Sequence, residues 1–309
     1  MVKYVLRRLF LVIPIMIGVV FIVFTIIDLT PGDPAKMMLG QHANPDSVRL
    51  LREKLGLDQP FPVRFGRYVL NALKLDFGIS YRNQEPVFDE IIRKFPNTIK
   101  LAVASVILSS IIGISLGIFS AVKQYTPGDT LATLGALFFA SIPNFWFGMS
   151  IMLLFALTLR ILPSNGVESW KSFVLPTIAV SLPSSAAILR LTRSTMLETI
   201  RQDYIRTARA KGVDEKVVVL RHALKNALLP VITSLGTNFG ILLGGAIVTE
   251  TVFAIPGLGT HIVDAIRMKD APVVLASTIF LAAFFCIIMI VVDLLYAFID
   301  PRVKAKYSK

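Results

Sequence analysis

Cysteine is almost absent from this sequence, and charged residues are scarce. Cys286 is the only thiol, so the chain cannot hold an internal disulfide framework, and its apolar surroundings predict a buried, inert side chain. No phosphate-binding P-loop, HExxH zinc motif or set of paired cysteine ligands occurs either. We therefore predict a protein without catalytic residues, metal or cofactor of its own, which cannot hydrolyse ATP by itself.

Hydrophobic residues make up 54% of the 309 and charged residues 17%, with a mean hydropathy of +0.69. These values lie outside the range of ordinary soluble domains and indicate a polytopic membrane protein. The net charge of +12 does not indicate nucleic-acid binding, because the basic residues gather at the ends of apolar segments rather than on one soluble face.

Six apolar runs are long enough to cross a hydrocarbon core of about 30 Å at 1.5 Å per residue. They predict an all-α fold with six transmembrane helices, at residues 9–29, 99–122, 131–159, 173–189, 231–248 and 273–299. The first run exceeds the apolar core of a signal peptide and ends without a cleavage site, so we expect it to remain as a helix. Prolines in the third and fourth runs predict breaks in those spans.

Glycines repeat at every fourth position in two of these runs. Gly113 and Gly117 lie in the second span, and Gly236, Gly240 and Gly244 lie in the fifth. Small residues at this spacing let the backbone of another helix approach closely. We expect another helix to approach the seam of the second span closely. The seam of the fifth span contacts a neighbouring helix or a twin subunit, or forms a sliding surface.

The distribution of Lys and Arg places both termini on the inner side of the membrane. Residues 30–98 then form one extracytoplasmic segment, which is either a cap over the spanning helices or a surface for an extracellular binding partner. We predict three short helices in it. Their markers are Asn44 and Pro45 at the start and Gly56 at the end of the first, Phe65 and Tyr68 in the second, and Pro96 at the end of the third.

Three residues are candidates for the path across the membrane. Pro143 and Asn144 interrupt the third span, where freed backbone groups need a neighbouring helix or a water-filled path, so that a structural kink and pore lining both fit. Glu250 is a candidate by its position near the outer end of the fifth span. Residues 249–272 around it are rich in proline and glycine, and we expect no regular helix there.

The basic loop, residues 198–230, is the longest polar interval in the second half of the chain. Residues 193–225 hold eight Lys or Arg against four acids, a balance typical of the cytoplasmic side. Gly212 predicts a break between two helices, of which Asp214 caps the second. The apolar face predicted for that second helix is Val217, Leu220, Leu224 and Leu228.

The first helix of the basic loop admits two interpretations. It either lies on the lipid surface as an amphipathic helix or inserts a knob of small residues into a groove on a soluble partner. The knob predicted for the second interpretation is Thr207, Ala208 and Gly212.

Several motifs resemble one known family. The run from Asp203 to Gly212, followed by Ala227-Leu-Leu-Pro230, resembles the EAA loop of ABC importer permeases, in the form found in the dipeptide/oligopeptide/nickel branch. Thr30-Pro-Gly-Asp-Pro34 and the run from Thr249 to Gly259 resemble segments of the same branch. The resemblance covers essentially the whole chain, although Arg206-Thr207 replaces the usual Glu-Ala start of the loop.

The resemblance implies a type I importer permease in the inner membrane of a prokaryote, forming a single domain over residues 1–309. Its expected partners are a homologous second permease, two ATP-binding subunits that bind ATP and Mg, and an extracytoplasmic substrate-binding protein. The expected ATPase-docking residues are Asp203, Tyr204, Ile205, Arg206, Thr207, Ala208, Arg209, Ala210, Lys211 and Gly212.

The substrate that the resemblance favours is a di- or oligopeptide. A nickel chelate, glutathione and an opine-like metallophore stay open, because the same branch carries them. An alternative from a different class is a self-sufficient channel or an ion-coupled carrier. The acidic residues give that alternative little support, because none of them lies at a predicted midplane.

Overall fold

Helices account for the regular structure in the residues that the computed structural model describes, 2–40 and 42–299, apart from one bridge between Ile79 and Pro86. The first helix, α1 (Val2–Leu29), contains the predicted first span. Only 6% of the most apolar stretch of this span is buried against the rest of the chain, so α1 lies at the edge of the bundle. The predicted inner tail, residues 300–309, lies outside the described residues.

Three short helices follow α1: α2 (Pro34–Leu39), α3 (Pro45–Leu55) and α4 (Phe61–Ala72). The prediction for α3 is confirmed at both ends. The side chain of Asn44 accepts a hydrogen bond from the N–H of Asp46, and Gly56 ends the helix with a φ of 68°. The helix predicted around Tyr68 is α4, while α2 was not predicted.

The third helix predicted in this segment is wrong as a separate element. Its residues form the start of α5 (Val87–Val122), which contains Pro96 and continues through the second predicted span. A proline inside a helix frees the carbonyl four residues earlier. That carbonyl belongs to Ile92, an exposed residue, so Pro96 is accommodated without ending the helix.

The third predicted span consists of two helices rather than one. α6 (Pro127–Ser141) and α7 (Asn144–Met152) meet at an angle of 96°, and a π-helical turn, Leu153–Thr158, extends α7. The described part of the chain therefore holds five continuous helices long and apolar enough to span a membrane, and a sixth span if the bent pair counts as one.

The fourth predicted span is continuous, so the breaks predicted at Pro176 and Pro183 are wrong. After a 3-10 turn (Trp170–Phe173), α8 runs from Val174 to Ile200. It packs along α5, as the seam in that helix predicts. A β-carbon at Gly113 would lie 2.6 Å from Ile188, and one at Gly117 would lie 2.6 Å from Thr192. Helix α8 is therefore closely packed against α5 along its length and leads into the basic loop.

The chain returns from the basic loop through α9 (Asp203–Ala210), α10 (Glu215–Val217), a π-helical turn (Val218–Ala223) and α11 (Leu224–Gly245). The fifth span therefore begins upstream of the predicted residue 231, and Pro230 lies inside α11. A proline beyond the first turn of a helix removes one backbone hydrogen bond. Contacts with the helices around α11 must therefore hold it together at Pro230.

The last three helices are α12 (Ile247–Val252), α13 (Leu258–Arg267) and α14 (Ala271–Ile299). The expectation that residues 249–272 lack a regular helix is wrong. The glycine seam of α11 packs against α14, because β-carbons at Gly236 and Gly240 would overlap the side chains of Val292 and Phe285. At Gly244 the space is open.

Candidate functional site

The basic loop is a helix–glycine–helix element, as predicted. Helix α8 ends at Ile200, and α9 begins at Asp203, after two intervening residues. Gly212 has a φ of +76°, which favours glycine over other residues and ends the short helix. The carboxylate of Asp214 then accepts a hydrogen bond from the N–H of Lys216 at 2.9 Å and caps the next helix.

A small apolar cluster fastens the loop to the ends of α5 and α8. Ile205 is fully buried on the inner side of α9, and Ala208 is half-buried beside it. The other buried members of the cluster are Ala121, Met196, Val218, Val219, Ala223 and Ala227. Because these side chains come from α5, α8, the π turn and α11, the loop is packed against the ends of three long helices.

Two polar contacts fix the angle between the helices of the loop. The guanidinium of Arg209 donates from Nε and Nη2 to the Glu215 carboxylate at 3.0 and 2.6 Å, across the glycine. These bonds hold the pKa of Arg209 above its ordinary value. Asn226 donates to the hydroxyl of Tyr204 at 2.8 Å and ties α9 to α11.

The outer side of α9 is open to solvent. The exposed residues among the predicted docking set are Asp203, Tyr204, Arg206, Thr207, Arg209, Ala210, Lys211 and Gly212. A β-carbon at Gly212 would meet no atom within 4 Å. Of the predicted knob, Thr207 and Gly212 therefore face outwards, and Ala208 leans partly on the apolar cluster. The assignment of these residues to docking stays a prediction.

The predicted apolar face of the second helix is wrong in its first half, whereas Leu224 does pack against the apolar cluster. Val217 and Leu220 are exposed, whereas Val218, Val219, Ala223 and Ala227 are buried. The reason is the π-helical turn at Val218–Ala223, which inserts an extra residue and rotates the face of the helix. A prediction that uses the regular α-helical period of 3.6 residues through this turn therefore assigns the wrong side chains to the buried face.

A buried ion pair beside the basic loop was not predicted. Asp129, only 5% exposed, accepts from Nε and Nη2 of Arg193 at 2.9 and 2.8 Å. The hydroxyl of Ser120 and the N–H of Tyr125 also donate to this carboxylate, the latter at 3.0 Å. The pair therefore joins α6 to α8 at the end of the bundle that carries the loop.

Sequence alone contained part of this signal. An acid at the start of one apolar helix and a basic residue inside another are costly in a membrane unless they find partners. The charge balance of residues 193–225 includes Arg193 but assigns it no partner. Its position inside α8 makes it a pairing candidate, and Asp129 is the partner that the fold brings to it.

The three path candidates lie in two different environments. Pro143 and Asn144 are exposed at the 96° break between α6 and α7, and the neighbouring rings of Phe145 and Trp146 are exposed as well. Glu250 is fully buried in α12 at the opposite end of the bundle from the basic loop. None of the three contacts the basic loop.

Glu250 organises the segment that connects α12 to α13. Thr98 donates its hydroxyl to Oε1 at 2.5 Å, and the N–H of Thr260 donates to Oε2 at 3.0 Å. β-Carbons at Gly257 or Gly259 would overlap the carboxylate of Glu250. This explains why glycine occupies both positions in the run from Thr249 to Gly259. Burial raises the pKa of Glu250 above its ordinary value, and the donated hydrogen bonds oppose that shift.

The fold defines an α-helical membrane protein with several spans, and family comparison specifies its class. Residues 113–305 match the family described as binding-protein-dependent transport system inner membrane component. Residues 1–102 match the corresponding N-terminal family of such membrane components. The chain belongs to this family and is a multi-pass inner-membrane permease subunit of an ABC importer of the peptide/nickel-type branch.

Individual relatives extend over the full length of the chain. It is 42% identical over 306 residues to the glutathione transport system permease protein GsiC of Salmonella paratyphi A, covering 99% of this chain and 100% of the relative. The GsiC protein of Escherichia coli K12 is 40% identical over the same shares of both chains.

A solved structure supports the fold. The MetNI methionine ABC transporter in an inward-facing conformation matches with a TM-score of 0.54 and 17% identity, over 68% of this chain and 96% of that chain. This likeness shows the type I permease fold. Permeases of this family work with an ATPase and a substrate-binding protein, so the alternative of a self-sufficient channel or ion-coupled carrier is wrong.

Proposed function

We propose that this chain forms half of the translocation pathway of an ATP-driven importer of short peptides. It pairs with a homologous second permease and two ATP-binding subunits, and it receives substrate from an extracytoplasmic binding protein. The observation that carries this proposal is the basic loop, whose outer side is exposed while its inner side is fastened to three long helices.

In this proposal, residues 203–212 dock into a cleft on an ATP-binding subunit. Closure of the two ATPases on ATP then moves α9, and Ile205 transmits the movement to α5 and α8 through the apolar cluster. The ion pair between Asp129 and Arg193 carries the same movement into α6. The translocation pathway then opens first to one side of the membrane and then to the other, which is alternating access.

The proposed orientation places the basic loop and both termini in the cytoplasm, because the positive charge concentrates there. Residues 30–98 then lie outside, where the substrate-binding protein arrives. ATP and Mg bind to the ATPase subunits, and the chain itself carries no cofactor. Pro143 and Asn144 line the path at the break between α6 and α7. Glu250 shapes the outer loop beside it.

Glutathione is the short peptide to test first. It is a tripeptide, and the curated relatives at 40 to 42% identity are named for glutathione transport. A dipeptide or longer peptide is the broader proposal, and a nickel chelate or an opine-like metallophore is the alternative within the branch. Uptake of radiolabelled glutathione, a dipeptide and nickel into cells that express the whole transporter separates these substrates.

The docking assignment is tested with single tryptophans on the outer side of α9. Thr207→Trp and Ala210→Trp should abolish co-purification of the ATPase subunits while the permease still inserts into the membrane. Tyr125→Trp is the matched control, because Tyr125 is 85% exposed at the same end of the bundle but lies outside the loop. Unchanged co-purification for both α9 variants would overturn the assignment.

A further inference from the structure

Helix α4 crosses α1 within the apolar part of that helix. The ring of Phe24 on α1 packs against Phe61, Phe65 and Tyr68 on α4, with centroids 5.5, 5.7 and 5.6 Å away. Phe24 lies five residues before the end of α1 at Leu29, which at 1.5 Å per residue is about 7.5 Å along the axis. Helices that lie in a membrane interface are buried about 5–10 Å into it.

The side of α4 that faces away from the bundle is apolar and has no partner among the described residues. Val63 is 46% exposed and Leu70 is 63% exposed, and Leu73, just after the helix, is 78% exposed. Their spacing of seven and ten residues from Val63 places them on one side of the helix. An exposed row of this kind is costly in water.

The polar residues of α4 form a separate, narrow stripe. Arg64, Arg67 and Asn71, at spacings of three and seven, line a cavity of about 610 Å³ above α1. Arg64 forms a bidentate ion pair with Asp28 at the end of α1. Its Nη1 and Nη2 donate to the two carboxylate oxygens at 2.5 and 3.0 Å. A narrow basic stripe above wide apolar sides is the pattern of a helix that lies in a membrane interface.

The rings of α4 that pack on α1 border an exposed apolar surface of α1. Phe21 is 47% exposed on α1 and also contacts the rings of Phe61 and Phe65, at 6.0 and 5.6 Å. Ile22 and Ile26, 58% and 60% exposed, continue that surface along α1. Exposed apolar surface on a membrane-spanning helix therefore lies directly beside α4.

We infer that α4 is an interfacial helix whose outward side, Val63, Leu70 and Leu73, is covered by acyl chains of the adjoining leaflet. The occupant of this surface is lipid rather than the substrate-binding protein or the second permease. This inference goes beyond the proposed function, because it does not depend on the substrate or on the docking of the ATPase. It assigns residues 61–73 of the extracytoplasmic segment, residues 30–98, to the membrane interface.

Fluorescent labels at single cysteines test this inference in the complete transporter, reconstituted in lipid vesicles. In a Cys286→Ser background, a bimane label is attached at Val63→Cys or Leu70→Cys. Ile22→Cys provides the lipid-exposed reference and Arg49→Cys the aqueous reference, since the Arg49 side chain is 74% exposed on α3. Each labelled complex is first shown to retain ATP hydrolysis.

Lipids brominated near the glycerol end should quench the labels at positions 63 and 70 about as well as the label at 22. Aqueous iodide should quench them several-fold less than the label at position 49. Iodide quenching equal to that at position 49 would overturn the inference. Protection from iodide that arises only when the substrate-binding protein is added would also overturn it, in favour of a protein partner.

Discussion

The two ends of the helical bundle hold their buried carboxylates in different ways. At the basic-loop end, Asp129 is paired with the guanidinium of Arg193, which belongs to another long helix. At the opposite end, Glu250 and Asp270 are held by neutral donors. Thr98 and the N–H of Thr260 bind Glu250, and Ser80 and the N–H of Tyr81 bind Asp270.

This difference separates two mechanical tasks. An arginine side chain is long and joins two helices that are far apart in sequence, so the pair between Asp129 and Arg193 couples α6 to α8. Backbone N–H groups and short hydroxyls lie close to the main chain, so Glu250 and Asp270 also fix the loops beside them, although Thr98 and Ser80 are distant from these carboxylates in sequence. Under the proposed function, the charged pair at the basic-loop end transmits movement, whereas the neutral contacts at the opposite end hold its loops in place.

Asp129→Ala should have the largest effect on this comparison. It leaves a guanidinium that is only 27% exposed without its partner, and it also removes the acceptor for Ser120 and Tyr125. Breaking a buried pair costs about 3–5 kcal/mol, and the partial exposure of Arg193 favours the lower value, about 3 kcal/mol. The fall in the midpoint of thermal unfolding of the purified permease measures this loss.

The double variant Asp129→Ala, Arg193→Met is the control for this prediction. It removes both charges and keeps apolar volume in α8, so it should be more stable than Asp129→Ala alone. If the two substitutions add instead, the pair does not couple α6 to α8 and the proposed division between the two ends fails.

Glu250→Ala should have the next largest effect, a loss of about 2 kcal/mol. The substitution leaves the hydroxyl of Thr98 and the buried N–H of Thr260 without an acceptor. Glu250→Gln keeps one acceptor oxygen and should lose less. Limited proteolysis near Gly257 would detect the loosened loop. Equal cleavage of the Ala variant and the unchanged protein would show that Glu250 does not hold this segment.

A pH dependence should distinguish the opposite end from the basic-loop end. His261 is largely buried, with Nε2 3.1 Å from the carboxylate of Glu90 on α5. Burial and the charge of Lys94 lower its pKa, while Glu90 and Asp270 act in the other direction. On its own helix, α13, the further charged groups are Asp264 and Arg267.

Folding therefore favours the neutral form of His261. The stability that this provides is complete above the ordinary histidine pKa of about 6.5 and is lost as the pH falls below it. Thermal unfolding midpoints of the unchanged protein should fall more between about pH 7 and pH 5 than those of His261→Gln. Identical pH profiles of the two proteins would contradict the assignment.

Sequence patterns predicted the parts of this fold that depend on local chemistry. Six apolar runs predicted the spans, Asn44 and Gly56 predicted both ends of α3, and Gly212 with Asp214 predicted the break in the basic loop. Each of these signals acts within a few residues along the chain. Close approach of another helix to Gly113 and Gly117 was predicted for the same reason, because glycine spacing is a local property, whereas the identity of that helix, α8, was not predicted.

Prolines and long-range pairs could not be predicted in this way. Pro183 and Pro230 lie inside helices because packing from neighbouring helices outweighs their local preference, and Pro96 lies inside α5 because the carbonyl that it frees belongs to an exposed residue. The partners Asp129 and Arg193 are 64 residues apart, and Thr98 and Glu250 are 152 apart. Hydropathy identifies spans but not which spans are neighbours, so it left Glu250 as a path candidate and missed the ion pair entirely.

Arg209→Ala should have the smallest effect on stability. It compares an exposed ion pair with the buried pair of Asp129 and Arg193 at the same end of the bundle. Its pair with Glu215 has geometry as good as that of Arg193 with Asp129, but the side chains are 40% and 58% exposed. Exposed pairs contribute about 0–1 kcal/mol, so the unfolding midpoint should barely change. Arg209→Lys is the conservative control. A loss as large as that of Asp129→Ala would show that burial is not what separates the two pairs, because geometry is the property that they share.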